Sequence, residues 1–130
     1  MSNEVPARAL REDTRQLVET IVAALEDKKA EDVIALQIGA VSSLAEVFVI
    51  ASGSSQRHVE TLIDEVREKS REIGQRPFGV EGQGTRWCLI DFGDVVVHVF
   101  DAEMREYYDL ERLWLDAPRI HASSADSAVP

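Results

Sequence analysis

The residues able to do chemistry fall in two short stretches of a 130-residue chain. Asp91, Asp94 and His98 form the first. Carboxylates and a neutral imidazole on one face of a hairpin could hold a divalent metal or relay protons. The same residue types have structural uses, because acids beside a tight turn bond their own backbone and strand histidines often sit hydrogen-bonded in a core. The lone thiol, Cys88, falls on the opposite strand face from His98, which disfavours a thiolate–imidazole pair. The second stretch is Ser52-Gly53-Ser54-Ser55 followed by Gln56-Arg57-His58. A Gly/Ser turn into a helix exposes N–H groups that suit a phosphate. It is equally an ordinary N-cap, with Ser54 or Ser55 as acceptor. The spaced Gly and Gly-Lys pair of a full phosphate loop are missing.

A strand, a Gly-Ser turn and a helix also begin the nucleotidyl-transfer scaffold. That chemistry needs two acids with one residue between them on a later strand to hold metal. Asp91 and Asp94 have two residues between them and bracket a turn, so the required pair is not visible. The alternative to be kept is therefore a nucleotidyltransferase-like enzyme that takes a nucleoside triphosphate and magnesium through Gly53-Ser54 and Asp91, Asp94 or His98.

The elements that position these residues follow from periodicity. Leu10, Leu17, Val18, Ile21, Val22 and Leu25 recur at helical spacing, predicting a helix from about Ala7 to Glu26 with Pro6 in its first turn. Val33 to Ile38 and the continuous apolar run Val47–Ala51 predict strands, the second covered on both faces. Val59, Leu62, Ile63, Val66 and Ile73 give a second helix that Gly74 ends. Pro77, Gly79, Gly82 and Gly84 read as an irregular loop. Trp87–Asp91 and Val95–Phe100 are two strands around a Phe92-Gly93 loop, and Met104–Leu115 a closing helix with Asp101 as N-cap. The order α-β-β-α-β-β-α predicts an α+β fold, a mixed β-sheet with helical cover. Residues 1–7 and 117–130 read as loose ends around one domain, 8–116, because Ala117–Pro130 is rich in Ala, Ser and Pro and poor in large apolar groups.

In that hairpin register Asp91 pairs with Asp94, Leu89 with Val96 and Trp87 with His98. Cys88, Ile90, Val95, Val97 and Val99 then make an apolar core face. The other face carries Trp87, Leu89, Asp91, Asp94, Val96, His98 and Phe100, a mixture too apolar for a solvated surface. Either the closing helix covers it or a partner does, with Trp87 as anchor.

Composition narrows the partner. Lys+Arg number 14 against 24 Asp+Glu, a formal charge of −10, which opposes direct DNA binding or attraction to an anionic membrane. Asp101–Asp116 alone carries six acids and two arginines, which suits a basic protein. One cysteine excludes an internal disulfide and a cysteine zinc cage. No apolar run reaches the ~20 residues of a membrane helix, and Met1–Arg11 has no secretory-signal core, so a cytoplasmic protein without cofactor is expected.

Several segments together resemble one family. Asp27-Lys28-Lys29-Ala30-Glu31-Asp32-Val33 and Phe48-Val49-Ile50-Ala51-Ser52-Gly53-Ser54-Ser55-Gln56-Arg57-His58-Val59 are similar to the ribosomal silencing factors, also called Iojap-like proteins. So are Glu81-Gly82, Gly93-Asp94-Val95-Val96-Val97-His98-Val99-Phe100 and Tyr108-Asp109-Leu110-Glu111-Arg112-Leu113-Trp114. The likeness runs from about residue 8 to 116 and departs at Glu46-Val47, where many members have Asp-Tyr or Asp-Cys. It implies a nucleotidyltransferase-like palm without an active site, and no catalysis. It implies binding to the large ribosomal subunit through its basic protein numbered fourteen, which blocks joining of the small subunit and represses translation. The implied contact residues are Trp87, Leu89, Asp91, His98, Phe100 and Tyr108. A homodimer off the ribosome would compete for the same patch.

Overall fold

The computed structural model describes residues 6–122. In chain order they form α1 (Glu12–Asp27), β1 (Glu31–Leu36), a 3-10 turn (Ile38–Ala40), β2 (Val47–Gly53), α2 (Gln56–Glu72), β3 (Gly79–Glu81), β4 (Trp87–Asp91), β5 (Val95–Asp101), α3 (Ala102–Tyr108), α4 (Leu110–Leu113) and β6 (Arg119–Ala122). The six strands make one sheet in the order β3-β4-β5-β2-β1-β6. The β2–β5 pair is parallel and the other four are antiparallel, so the sheet is mixed, as expected. Every residue of β2 is buried, which its unbroken apolar run requires once helices cover both sides.

The helices α1 and α2 cover one face. Leu17, Ile21, Leu25, Leu62 and Val66 pack there against Val33, Val49, Cys88, Ile90, Val97 and Val99. The other face holds Ile34, Leu36, Phe48, Ile50 and Phe100, against which Trp87, Val96, Met104, Leu110 and Trp114 lie partly buried. The assignment of strand faces is therefore correct, including the separation of Cys88 from His98.

Five expectations need correction. The first helix begins at Glu12, not Ala7. Arg8 is instead tied in extended form to Gln37: its N–H donates to Oε1 at 2.8 Å and its carbonyl accepts from Nε2 at 2.7 Å. Those long-range bonds outweigh local helical preference. The hairpin loop is Gly93-Asp94, not Phe92-Gly93, since Phe92 N–H donates to Val95 O at 2.8 Å and Phe92 itself is buried in the core. Gly93 alone of the two has positive φ, +88°, as the first central residue of a II′-type turn needs. Every pairing moves by two residues, so Trp87 stands opposite Phe100 and Leu89 opposite His98, with the faces unchanged.

The expected closing helix is two short ones, broken at Asp109 with φ +47°. Part of the loop before β4 is the edge strand β3. Lastly, 117–122 are not a loose tail. Ala117 is buried, and β6 pairs with β1 through Ile34↔Ala122 and Leu36↔Arg119. A four-residue strand of mixed composition carries too little periodic signal to announce itself. The rest of that expected tail, 123–130, lies outside the described residues, as do 1–5 of the expected loose N-terminus.

Candidate protein interface

Three sequence features converge on the second sheet face. β4 and β5 present alternate residues to it, β2 contributes Phe48, and the chain after β5 folds back across it. Asp101 starts that return by accepting from Met104 N–H at 2.8 Å, the cap expected of it. Arg86 donates to Asp101 at 2.5 Å and holds its carboxyl below the usual range.

Trp87 is half-buried and stacks on Phe100 at 4.9 Å between centroids, with Tyr108 at 4.7 Å on it. Its indole N–H donates to His98 Nδ1 at 3.3 Å. Such aromatic contacts add about 0.5–1.5 kcal/mol each beyond burial, so the indole is held in place before any partner arrives. Phe100 is fully buried and His98 is 4% exposed. Both lie beneath the surface in this structure and support Trp87. Leu89 and Asp91 are half-buried and Tyr108 is 47% exposed.

Burial alone pushes the His98 imidazole down to about 4, so it is neutral at physiological pH. Its Nδ1 accepts from Trp87, which places the ring proton on Nε2. Neither that atom nor Trp114 Nε1 has an acceptor among the described residues. An orphaned buried donor costs about 1–3 kcal/mol.

Residues 102–116 cover this face thinly. Arg105 is the fastening that residue patterns did not reveal. Its buried guanidinium donates to both carboxylate oxygens of Glu111 at 3.2 and 3.1 Å, to Ser52 Oγ at 3.0 Å and to Glu31 O at 3.3 Å. It thereby ties α3 and α4 to the ends of β1 and β2. Outside that clamp Tyr107, Leu113 and Leu115 are 75%, 72% and 65% exposed, and α4 has no buried residue. Phe48, Arg105 and Trp114 thus belong to the site although periodicity did not select them. A fully buried strand such as β2 shows no alternation from which to choose Phe48.

The catalytic alternatives are not assembled. Asp91 spends one oxygen on Gly93 N–H at 2.7 Å, the turn use of such an acid. His98 is buried among aromatic rings, and no cluster of three metal-binding side chains occurs among the described residues. At the Gly/Ser turn, Ser55 Oγ accepts from His58 N–H at 3.0 Å and His58 Nδ1 accepts from Ser54 N–H at 2.8 Å. Those two donors are used internally. A Cβ at Gly53 would meet Val59 at 3.0 Å, so the glycine permits a close strand–helix approach there. A groove of about 580 Å³ on α2 is lined by Arg67, Arg71 and Arg76 with Asp64 and Glu68. Its Arg71 is already paired to Glu68 at 2.7 Å.

The fold and this face define a small mixed-sheet α+β domain with one sealed face and one thinly covered aromatic face. The model of the family described as ribosomal silencing factor during starvation matches residues 11–129. The chain belongs to that family, and the match carries family likeness past residue 116, into the stretch first read as a tail. It is 43% identical to a ribosomal silencing factor of Halalkalibacterium halodurans over 107 residues, covering 82% of this chain and 92% of that one. It is 41% identical to that of Bacillus subtilis over 105 residues, covering 80% and 89%. The fold is similar to a crystal structure of a Chromobacterium violaceum protein, with TM-score 0.75 and 40% identity over 77% of this chain and 84% of the other.

Proposed function

We propose that this chain is a non-catalytic repressor of translation in the cytoplasm. It binds the large ribosomal subunit through the basic protein numbered fourteen and so prevents the small subunit from joining. Family membership supplies the ribosomal setting. The observation that carries the mode of action is the fixed, half-buried Trp87, stacked on Phe100 and bonded to His98 on an otherwise thinly covered face. Trp87 and Tyr108 offer contact, with Leu89 and Asp91 beside them, while His98 and Phe100 hold the indole. Acids after β5 suit a basic partner, and occupancy alone is enough to block joining.

Sedimentation of separated ribosomal subunits with and without the protein tests this. Co-migration with the large subunit and a smaller joined-ribosome peak is expected. Free protein at the top of the gradient with unchanged joining would refute it. A second copy of the chain competing for the same face would appear as sedimentation that depends on protein concentration and is reversed by large subunits.

A further inference from the structure

The two buried donors with no acceptor among the described residues, His98 Nε2 and Trp114 Nε1, belong to one aromatic cluster. Phe48 contacts both rings, with centroids 4.7 Å from His98 and 5.8 Å from Trp114. Native interiors rarely leave such groups unpaired. Here both occur on the face that carries Trp87, each ring against Phe48. Their cover is the part of the chain with the weakest hold: α4 has four residues, none buried, and enters through the left-handed Asp109. Leu113 and Leu115 point their apolar bulk outward on either side of Trp114.

We propose that His98 and Trp114 form a hydrogen-bonding subsite for a main-chain carbonyl of the partner protein, entered when residues 110–116 shift. The proposal deepens the ribosomal reading above and rests on it. Both donors are neutral and lie among aromatic rings, so they suit a neutral acceptor. A carboxylate would bring an unpaired charge into an apolar surrounding. A backbone amide brings its own donor as well, but only its carbonyl side suits an N–H donor. Trp87 anchors the partner beside this point, and His98 serves both, accepting from Trp87 at Nδ1 and donating from Nε2.

The test replaces Trp114 by benzothienylalanine, which exchanges the N–H for sulfur and keeps the ring shape, and separately makes Trp114→Phe. Thermal unfolding and affinity for isolated large subunits are measured on both and on the wild type. Removing an orphaned donor leaves the free protein as stable as before or more so, whereas binding weakens about fivefold, the value of one neutral hydrogen bond. Unchanged affinity of the benzothienylalanine protein, with wild-type binding intact, overturns the subsite and leaves the ribosomal reading standing. Failure of the wild type itself to bind removes that reading and the subsite with it. Lower stability with unchanged affinity assigns Trp114 a packing role and also overturns the proposal.

Discussion

The two faces of the sheet are built from the same strands and treat their side chains differently. Under α1 and α2 the core is aliphatic apart from Phe92 and Cys88, with Ile21, Leu25, Leu62, Val66 and Ile90 all fully buried. Under α3 and α4 aliphatic strand residues share the layer with Phe48, Phe100, Trp87 and Trp114 and a buried imidazole, and two polar atoms have no partner among the described residues. Sealed packing serves stability, and its residues could exchange for others of similar volume. The aromatic face fixes Trp87 in a defined orientation and leaves the groups around it incompletely satisfied. One sheet can thus seal one side for stability and leave polar groups on the other incompletely satisfied, the side on which the proposed partner site lies.

Several substitutions would break or sharpen that contrast. The largest effect is expected on the sealed face. Leu62→Ala should lower unfolding stability by about 3 kcal/mol in denaturant titration, through lost burial and a residual cavity. Protein that remains folded should bind the large subunit as before. Next comes acid sensitivity of the aromatic face. The His98 imidazole titrates near 6.5 when unfolded and at about 4 when folded. The folded state therefore keeps this contribution in full above pH 6.5 and loses it as pH falls through 4. The loss amounts to up to about 3 kcal/mol. Denaturant melts of His98→Phe across that window should show a flatter pH profile than the wild type.

Trp87→Ala should weaken binding to the large subunit by about 2 kcal/mol, read by co-sedimentation, with the sealed core unaltered. Equal affinity in a folded variant would remove Trp87 from the anchor role. Asp101→Ala should cost about 1 kcal/mol of stability in thermal melts, since it deletes the α3 cap. The smallest effect is expected for Leu113→Ser, within about 0.5 kcal/mol on unfolding because the side chain is already exposed. A large destabilisation there would show α4 to be held more firmly than its burial indicates.

Long periodic segments were legible in the sequence. Both long helices and the buried β2 follow from apolar spacing, and hairpin alternation sorted β4 and β5 onto the correct faces. What escaped depends on partners far away in the chain. The extended start at Arg8 comes from Gln37, and β6 exists because β1 offers it an edge. The hairpin shift came from Phe92, whose aromatic ring belongs to the core and not to the turn. Trp87 was visible as an apolar residue on the wrong side of a strand, and the resemblance named it as well. That His98 and Phe100 lie under it depends on α3 and α4, whose fold-back is set by Arg105 reaching Ser52 and Glu31. No local pattern encodes a guanidinium with that reach.

The pairing of β6 with β1 has a consequence for how the molecule comes into being. Ile34 meets Ala122, and Ala35 meets His121, across most of the chain's length. During synthesis β1 is complete long before its outer neighbour has been made. In that interval β1 presents an open edge with unpaired backbone groups, the template through which nascent chains join one another. Such non-local closure is slow, because loop entropy must be lost before the contacts form. Strand β6 is thus a lock on the sheet. A chain truncated before Arg119 would retain nearly all of its core side chains and still be the form most prone to associate.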